Sequence, residues 1–137
     1  MTKRNREKGA EWELYVRKYL ESHDWNIVKF HNNVNLEKNK MIGASPSKFK
    51  LMQTGFPDFM CWKPLNLSYH IIGVECKIGG MLSRLEKIKC LWFLENNIFN
   101  SILIASKYKV KNRVGIKLED FTDKYKQWIK KYNEKNK

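Results

Sequence analysis

Glu75 and Lys77 stand two residues apart in an otherwise apolar run, Ile71-Ile72-Gly73-Val74-Glu75-Cys76-Lys77. Side chains alternate faces along a strand, so on a strand these two project together while Val74 and Cys76 point the other way. Alone, such a pair is usually a solvated surface ion pair of little energetic weight. The residues upstream sharpen it. Residues 56–63 and 69–77 read as two strands around a turn at 64–68, with cross-strand partners whose numbers sum to about 132 or 133. Asp58 and Glu75 meet that condition, which puts them opposite or diagonal to each other. Two carboxylates, with waters and a backbone carbonyl such as that of Cys76, are a donor set for Mg²⁺. An ammonium beside them can hold or polarise an attacking water and offset charge on a phosphate. The same charges also suit a hairpin edge that resists aggregation, and spacing alone leaves both readings open.

The elements around this hairpin follow from periodicity. Trp12, Val16, Tyr19 and Leu20 recur at three- and four-residue spacing and predict a helix over 7–22. Residues 25–30 alternate as a short strand, whereas 31–53 are polar and irregular and fit a loop, a hairpin or an arm over a ligand. After Gly79-Gly80, Ser83 and Glu86 form a capping-box signature for a helix over 83–96, with Ile88, Leu91, Trp92 and Leu94 as its apolar positions. Residues 101–105 read as a buried strand and 114–118 as another. A final amphipathic helix over 119–132 carries Phe121, Tyr125, Trp128, Ile129 and Tyr132. The order helix, strand, hairpin, helix, strand, helix predicts one α/β domain with a central mixed sheet.

Composition bounds the function. A chain of 137 residues, 42% apolar and 13% aromatic, supports a single domain with a core. No apolar run reaches membrane-span length, and no apolar stretch follows the charged residues 1–8 as in a secretory leader, so a cytoplasmic protein is expected (host cytoplasm, if viral). Cys61, Cys76 and Cys90 lack C-x-x-C spacing and read as reduced, mostly buried thiols. His23, His31 and His70 are scattered, which argues against a zinc site. The net charge of +13 suits a polyanionic partner, although abundant Lys and Asn are also the bias an AT-rich genome would give, and the two readings stay open.

Gly55-Phe56-Pro57-Asp58, followed by Gly73-Val74-Glu75-Cys76-Lys77, resembles the signature of PD-(D/E)XK nucleases. Residues 55–97, with the link Gly79-Gly80-Met81-Leu82-Ser83 into a helix, look like the VRR-NUC branch of that superfamily. The opening Lys8-Gly9-Ala10-Glu11-Trp12-Glu13 is similar to that of archaeal Holliday junction resolvases. Together the resemblance covers about two thirds of the chain. It implies a restriction-endonuclease-like fold and a Mg²⁺-dependent DNA endonuclease, with Mn²⁺ able to substitute, acting on branched or duplex DNA in recombination or repair. Cleavage would leave 5′-phosphate and 3′-hydroxyl ends, and junction-cutting relatives act as homodimers.

Residue by residue, the resemblance implies that Asp58 and Glu75 hold the metal and that Lys77 is the catalytic lysine. Glu13 falls on the first-helix glutamate that helps bind metal or water, with Glu11 its rival. VRR-NUC proteins usually carry Gln early in the helix after Glu-x-Lys; here that position is Lys87, or Glu86 if the link is read one residue shorter. Lys3, Arg4, Arg6 and Lys8 suit a basic N-terminal arm (residues 1–7, leading into the helix) along the DNA backbone. Lys48 and Lys50, with Asn32, Asn33, Ser45 and Ser47, are further candidates for DNA contact. Two other readings compete: a basic nucleic-acid-binding protein without catalysis, and a nuclease subunit that works only within a larger complex.

Overall fold

The first helix, α1 (Lys3–Ser22), begins four residues earlier than its apolar spacing suggests. Thr2 caps it, its hydroxyl accepting the Asn5 N–H at 3.2 Å, and residues 3–8 are mostly good helix formers. Lys3, Arg4, Arg6 and Lys8 therefore ride on exposed helical turns, not on an extended arm. The computed structural model describes residues 2–43 and 55–136, so Ser45, Ser47, Lys48 and Lys50 lie outside the described residues.

Five strands form the sheet: β1 (Asn26–Lys29), β4 (Phe59–Leu65), β5 (Ser68–Cys76), β6 (Ser101–Val110) and β7 (Arg113–Asp120), adjacent in that order. Only the β5–β6 pair is parallel, which requires a crossover; α2 (Arg84–Glu95) lies in that connection. Between β1 and β4 the chain makes a separate two-stranded hairpin, β2 (Asn32–Asn35) with β3 (Lys40–Gly43), one of the forms open to the polar stretch. The architecture is thus the expected α/β domain with a mixed sheet.

Each sheet face carries its own apolar layer. Trp12, Val16 and Leu20 of α1 pack on Ile27, Phe59, Cys61, Ile72, Val74 and Ala105. On the other face Cys90, Leu91 and Phe93 of α2 pack with Phe99, Ile102, Ile104, Phe121 and Tyr125. In α2, Ile88, Trp92 and Leu94 are only half-buried, while Cys90 and Phe93 are fully buried. Residues 90–94 are apolar throughout, so their periodicity could not single out the inner face. The C-terminal helix is also divided, into α3 (Phe121–Lys124) and α4 (Lys126–Lys135). It breaks at Tyr125, whose ring turns into the core and whose hydroxyl accepts the Leu82 N–H at 2.9 Å. Lys124 Nζ adds a 2.6 Å bond to the Gly80 carbonyl, so this end of the chain braces the 77–83 link.

The β4–β5 register pairs Phe59 with Val74 and Leu65 with Ser68, closing on Asn66, a residue type that tolerates the left-handed φ of 54° found there. Pro64 lies within β4, so the turn is tighter than the expected 64–68. At the other end β4 starts at Phe59, later than residue 56, because Pro57 has no N–H for the ladder. Two glycines let the 55–58 segment lie close. A β-carbon on Gly55 would stand 1.8 Å from the Phe30 carbonyl oxygen, and one on Gly73 would stand 2.7 Å from Pro57 Cγ. Gly55→Ala must therefore displace the backbone. We expect it to cost about 3 kcal/mol, near the top of the usual overpacking range. A thermal melt indistinguishable from the parent's would show that the segment does not need this close approach.

Candidate active site

Antiparallel pairing brings the C-terminal ends of β1 and β5 and the start of β4 to one end of the sheet. Since α1 leads into β1 through a short turn, the N-terminal turns of α1 lie at that end as well. Asp58, immediately before β4, is tied there to the end of β1 and to β5 by three hydrogen bonds. Its carbonyl accepts the Phe30 N–H at 3.0 Å. Its N–H donates to Glu75 Oε1 at 3.1 Å, and its Oδ2 accepts the Cys76 N–H at 2.8 Å. The two acids thus fasten each other's strands.

Glu75 is only 6% exposed. Its carboxyl is held well above the usual range, first by burial, then by the charge of Asp58 and a hydrogen bond between the two carboxyl groups. Glu13, half-buried on α1, is raised too, by burial and then by Asp58, with Lys29 working against the shift. Glu11 is exposed and lines a groove on the opposite side of α1 with Trp12, Tyr15 and Lys107, so of the two rivals Glu13 is the one beside Asp58. Lys77 shares the α2 side of β5 with Glu75, its Nζ 4.0 Å from Glu75 Oε2 and 2.7 Å from Glu86 Oε2. Burial pulls the Lys77 amine down, yet Glu86, Glu75 and Asp58 together outweigh it and leave it raised.

Lys29 enters the site without having been singled out for it, and Glu86, one of the two positions offered for a glutamine, joins it. Lys29 Nζ lies 3.0 Å from Glu13 Oε2 and 3.7 Å from Asp58 Oδ1. The signal was available: in β1, Lys29 alternates with buried Ile27, the residue that faces α1. Glu86 is fixed by the expected capping box, accepting the Ser83 N–H at 2.8 Å through Oε1 and leaving Oε2 for Lys77. Of the two positions that the resemblance offered for a glutamine, Glu86 is therefore the one that reaches Lys77. Lys87 instead lies over the rings of Tyr125 and Trp128, at 4.6 and 5.3 Å, and is not brought to the carboxylates.

The cysteines are free, and Cys61 and Cys90 are buried as expected. Burial, followed by the charges of Asp58 and Glu75, pushes the Cys76 thiol far up. The thiol sits beside the α1 layer as a neutral group, so any part for Cys76 as a ligand falls to its carbonyl oxygen.

Three carboxyl groups, Glu13, Asp58 and Glu75, form a row in which each outer member is destabilised by the charge of Asp58. A divalent cation would relieve that repulsion, and its preference for hard oxygens matches the donors. Among the described residues no three His, Cys, Asp or Glu side chains close around one point as a cage. Magnesium does not need one, since it commonly rests on one or two carboxylates and keeps its waters. The residues fit the ion.

Comparison with protein-family models, with curated proteins and with solved structures finds no match for this chain. Among the described residues no helix is long and apolar enough to cross a membrane.

Proposed function

We propose that the chain is a Mg²⁺-dependent DNA endonuclease of the PD-(D/E)XK type with a restriction-endonuclease-like fold, built around Asp58, Glu75 and Lys77. The observation that carries this reading is the reciprocal tie of Asp58 and Glu75 at the sheet end, with the Lys77 amine 4.0 Å from Glu75. The succession α1, β1, β4, β5, α2, β6 supports it as well.

Asp58 and Glu75, with the Cys76 carbonyl, would hold the ion, and Glu13 would hold its water shell. When bound, the ion supplies a lowered pKa for water and charge neutralisation at phosphate. Lys77 orients the attacking water and faces the anionic phosphate, while Glu86 and Ser83 keep its amine at the site. Lys29 balances the Glu13–Asp58 side. The exposed cations on α1 place DNA across this end of the sheet. A branched substrate, a homodimer that makes paired incisions, and Mn²⁺ as a working substitute complete the proposal.

Incubating the purified chain with plasmid, flap and four-way DNA in Mg²⁺ tests it, alongside calorimetric Mg²⁺ and Mn²⁺ titration. Cleavage of at least one DNA, together with metal uptake that Asp58→Asn abolishes, is expected. DNA binding without carboxylate-dependent metal uptake would instead establish a non-catalytic binder and overturn the nuclease reading.

A further inference from the structure

Beyond the end of β5 the sheet continues on two strands only. Cys76 pairs with Ala105, the Lys77 N–H donates to the Ala105 carbonyl, and the Lys107 N–H donates to the Ile78 carbonyl. From there β6 and β7 run on as a free hairpin, paired from Lys107 with Ile116 to Val110 with Arg113. At about 3.3 Å per residue, Lys109 lies roughly 13 Å past Ala105. The projection leaves from the sheet end that holds Asp58 and Glu75.

Residues 106–118 contain five cations, Lys107, Lys109, Lys111, Arg113 and Lys117, and no carboxylate. Residues 107–114 are all exposed. Lys117 has Glu119 at 3.9 Å, but among the described residues Lys107, Lys109, Lys111 and Arg113 pair with no acidic side chain. Unbalanced like charge along one arm opposes folding and favours a polyanionic partner.

The arm is stiffened and aimed. The Tyr108 ring lies across Gly115, where a β-carbon would come within 2.4 Å of it, and the Tyr15 hydroxyl donates to the Val114 carbonyl at 3.2 Å. Alternation from Ala105, which packs against α1, puts Lys107 and Lys109 on the α1 side, and Lys107 Nζ is 5.9 Å from the Trp12 ring. The two lysines therefore face the same side as the first turns of α1, with Arg4 and Lys8. Their separation of about 6.6 Å equals two residue steps and is on the scale of neighbouring phosphates along one DNA strand. Lys107 and Lys109 sit on β6, on the side turned toward the helix.

We propose that the β6–β7 hairpin is a DNA-backbone arm that, with the N-terminal turns of α1, holds duplex DNA beside the sheet end that carries Asp58 and Glu75, its contacts made by Lys107 and Lys109. The inference rests on the nuclease reading, which supplies DNA as the ligand. Fluorescence anisotropy with a labelled duplex across a salt series, in Ca²⁺ to suppress turnover, compares the parent chain with K107Q/K109Q. The control is K130Q/K131Q, which removes equal charge from exposed α4. The hairpin variant should lower the slope of log K against log salt by about 1.8 and weaken binding about tenfold near physiological salt. The control should do neither. Equal slopes for the two variants would overturn the arm, as would a parent that binds no duplex. Because the slope is read without turnover, a chain that binds through these lysines but cuts nothing would retain the arm and lose the nuclease reading. A chain that cuts with an unaltered slope would do the reverse.

Discussion

Asp58→Asn and Lys77→Ala should each reduce Mg²⁺-dependent cleavage about a hundredfold or more while leaving DNA affinity within about threefold, by analogy with the loss of one preorganised electrostatic group. Asparagine can still accept the Cys76 N–H that Asp58 Oδ2 accepts at 2.8 Å, so the strand junction survives and only the charge is lost. Lys77→Ala removes the amine that Glu86 holds at 2.7 Å and leaves two half-screened acids facing an anionic phosphate. Single-turnover kinetics at saturating DNA reports the chemical step, and anisotropy in Ca²⁺ reports binding. Cleavage at the parent rate in either variant would remove that residue from the reaction.

Glu75→Gln should abolish cleavage and at the same time make the metal-free protein more stable at neutral pH. In the folded chain Glu75 binds its proton more tightly than an ordinary carboxyl near 4.5 does. Stability is therefore greatest below that ordinary value and falls as pH rises through the raised folded one. Glutamine keeps an oxygen to accept the Asp58 N–H at 3.1 Å, carries no charge, and removes this fall. Melts of both proteins in EDTA should nearly coincide at pH 4 and separate by pH 8, with the variant higher. Each kcal/mol relieved is worth about 4 °C for a chain of this size. Glu13, also raised, leaves a smaller fall in both proteins. Adding Mg²⁺ at pH 8 should raise the melting temperature of the parent alone, because only the parent gains a ligand that binds the folded state. Parallel pH profiles would show that Glu75 is not under electrostatic load. The gain in stability at the cost of the reaction is the usual trade at a strained functional site.

The hairpin register was legible from number sums because a tight turn fixes pairing along its whole length; Asp58 and Glu75 continue the alignment of Phe59 with Val74. The face shared by Glu75 and Lys77 followed from alternation, and the Ser83–Glu86 cap from its spacing. Other features depended on long-range packing. That Glu86 gives its second oxygen to Lys77 depends on how α2 docks against β5. Lys29 meets Glu13 only because α1 and β1 run back to back. The length of β6 and β7 was missed, since residues 106–117 alternate lysine with apolar or small residues and show no turn signal stronger than Lys111-Asn112. The break at Tyr125 answers to Leu82, a partner 43 positions away that no local pattern announces.

That partnership bears on when the 77–83 link takes its final form during synthesis. Lys77 and the link behind it emerge from the ribosome well before Lys124 and Tyr125, the two side chains that pin the Gly80 carbonyl and the Leu82 amide. A nascent or prematurely stopped polypeptide would therefore own its acids and its lysine but lack the clasp that settles the following helix, and with it Glu86, against them. The link behind Lys77 is pinned only once residues 124 and 125 have emerged.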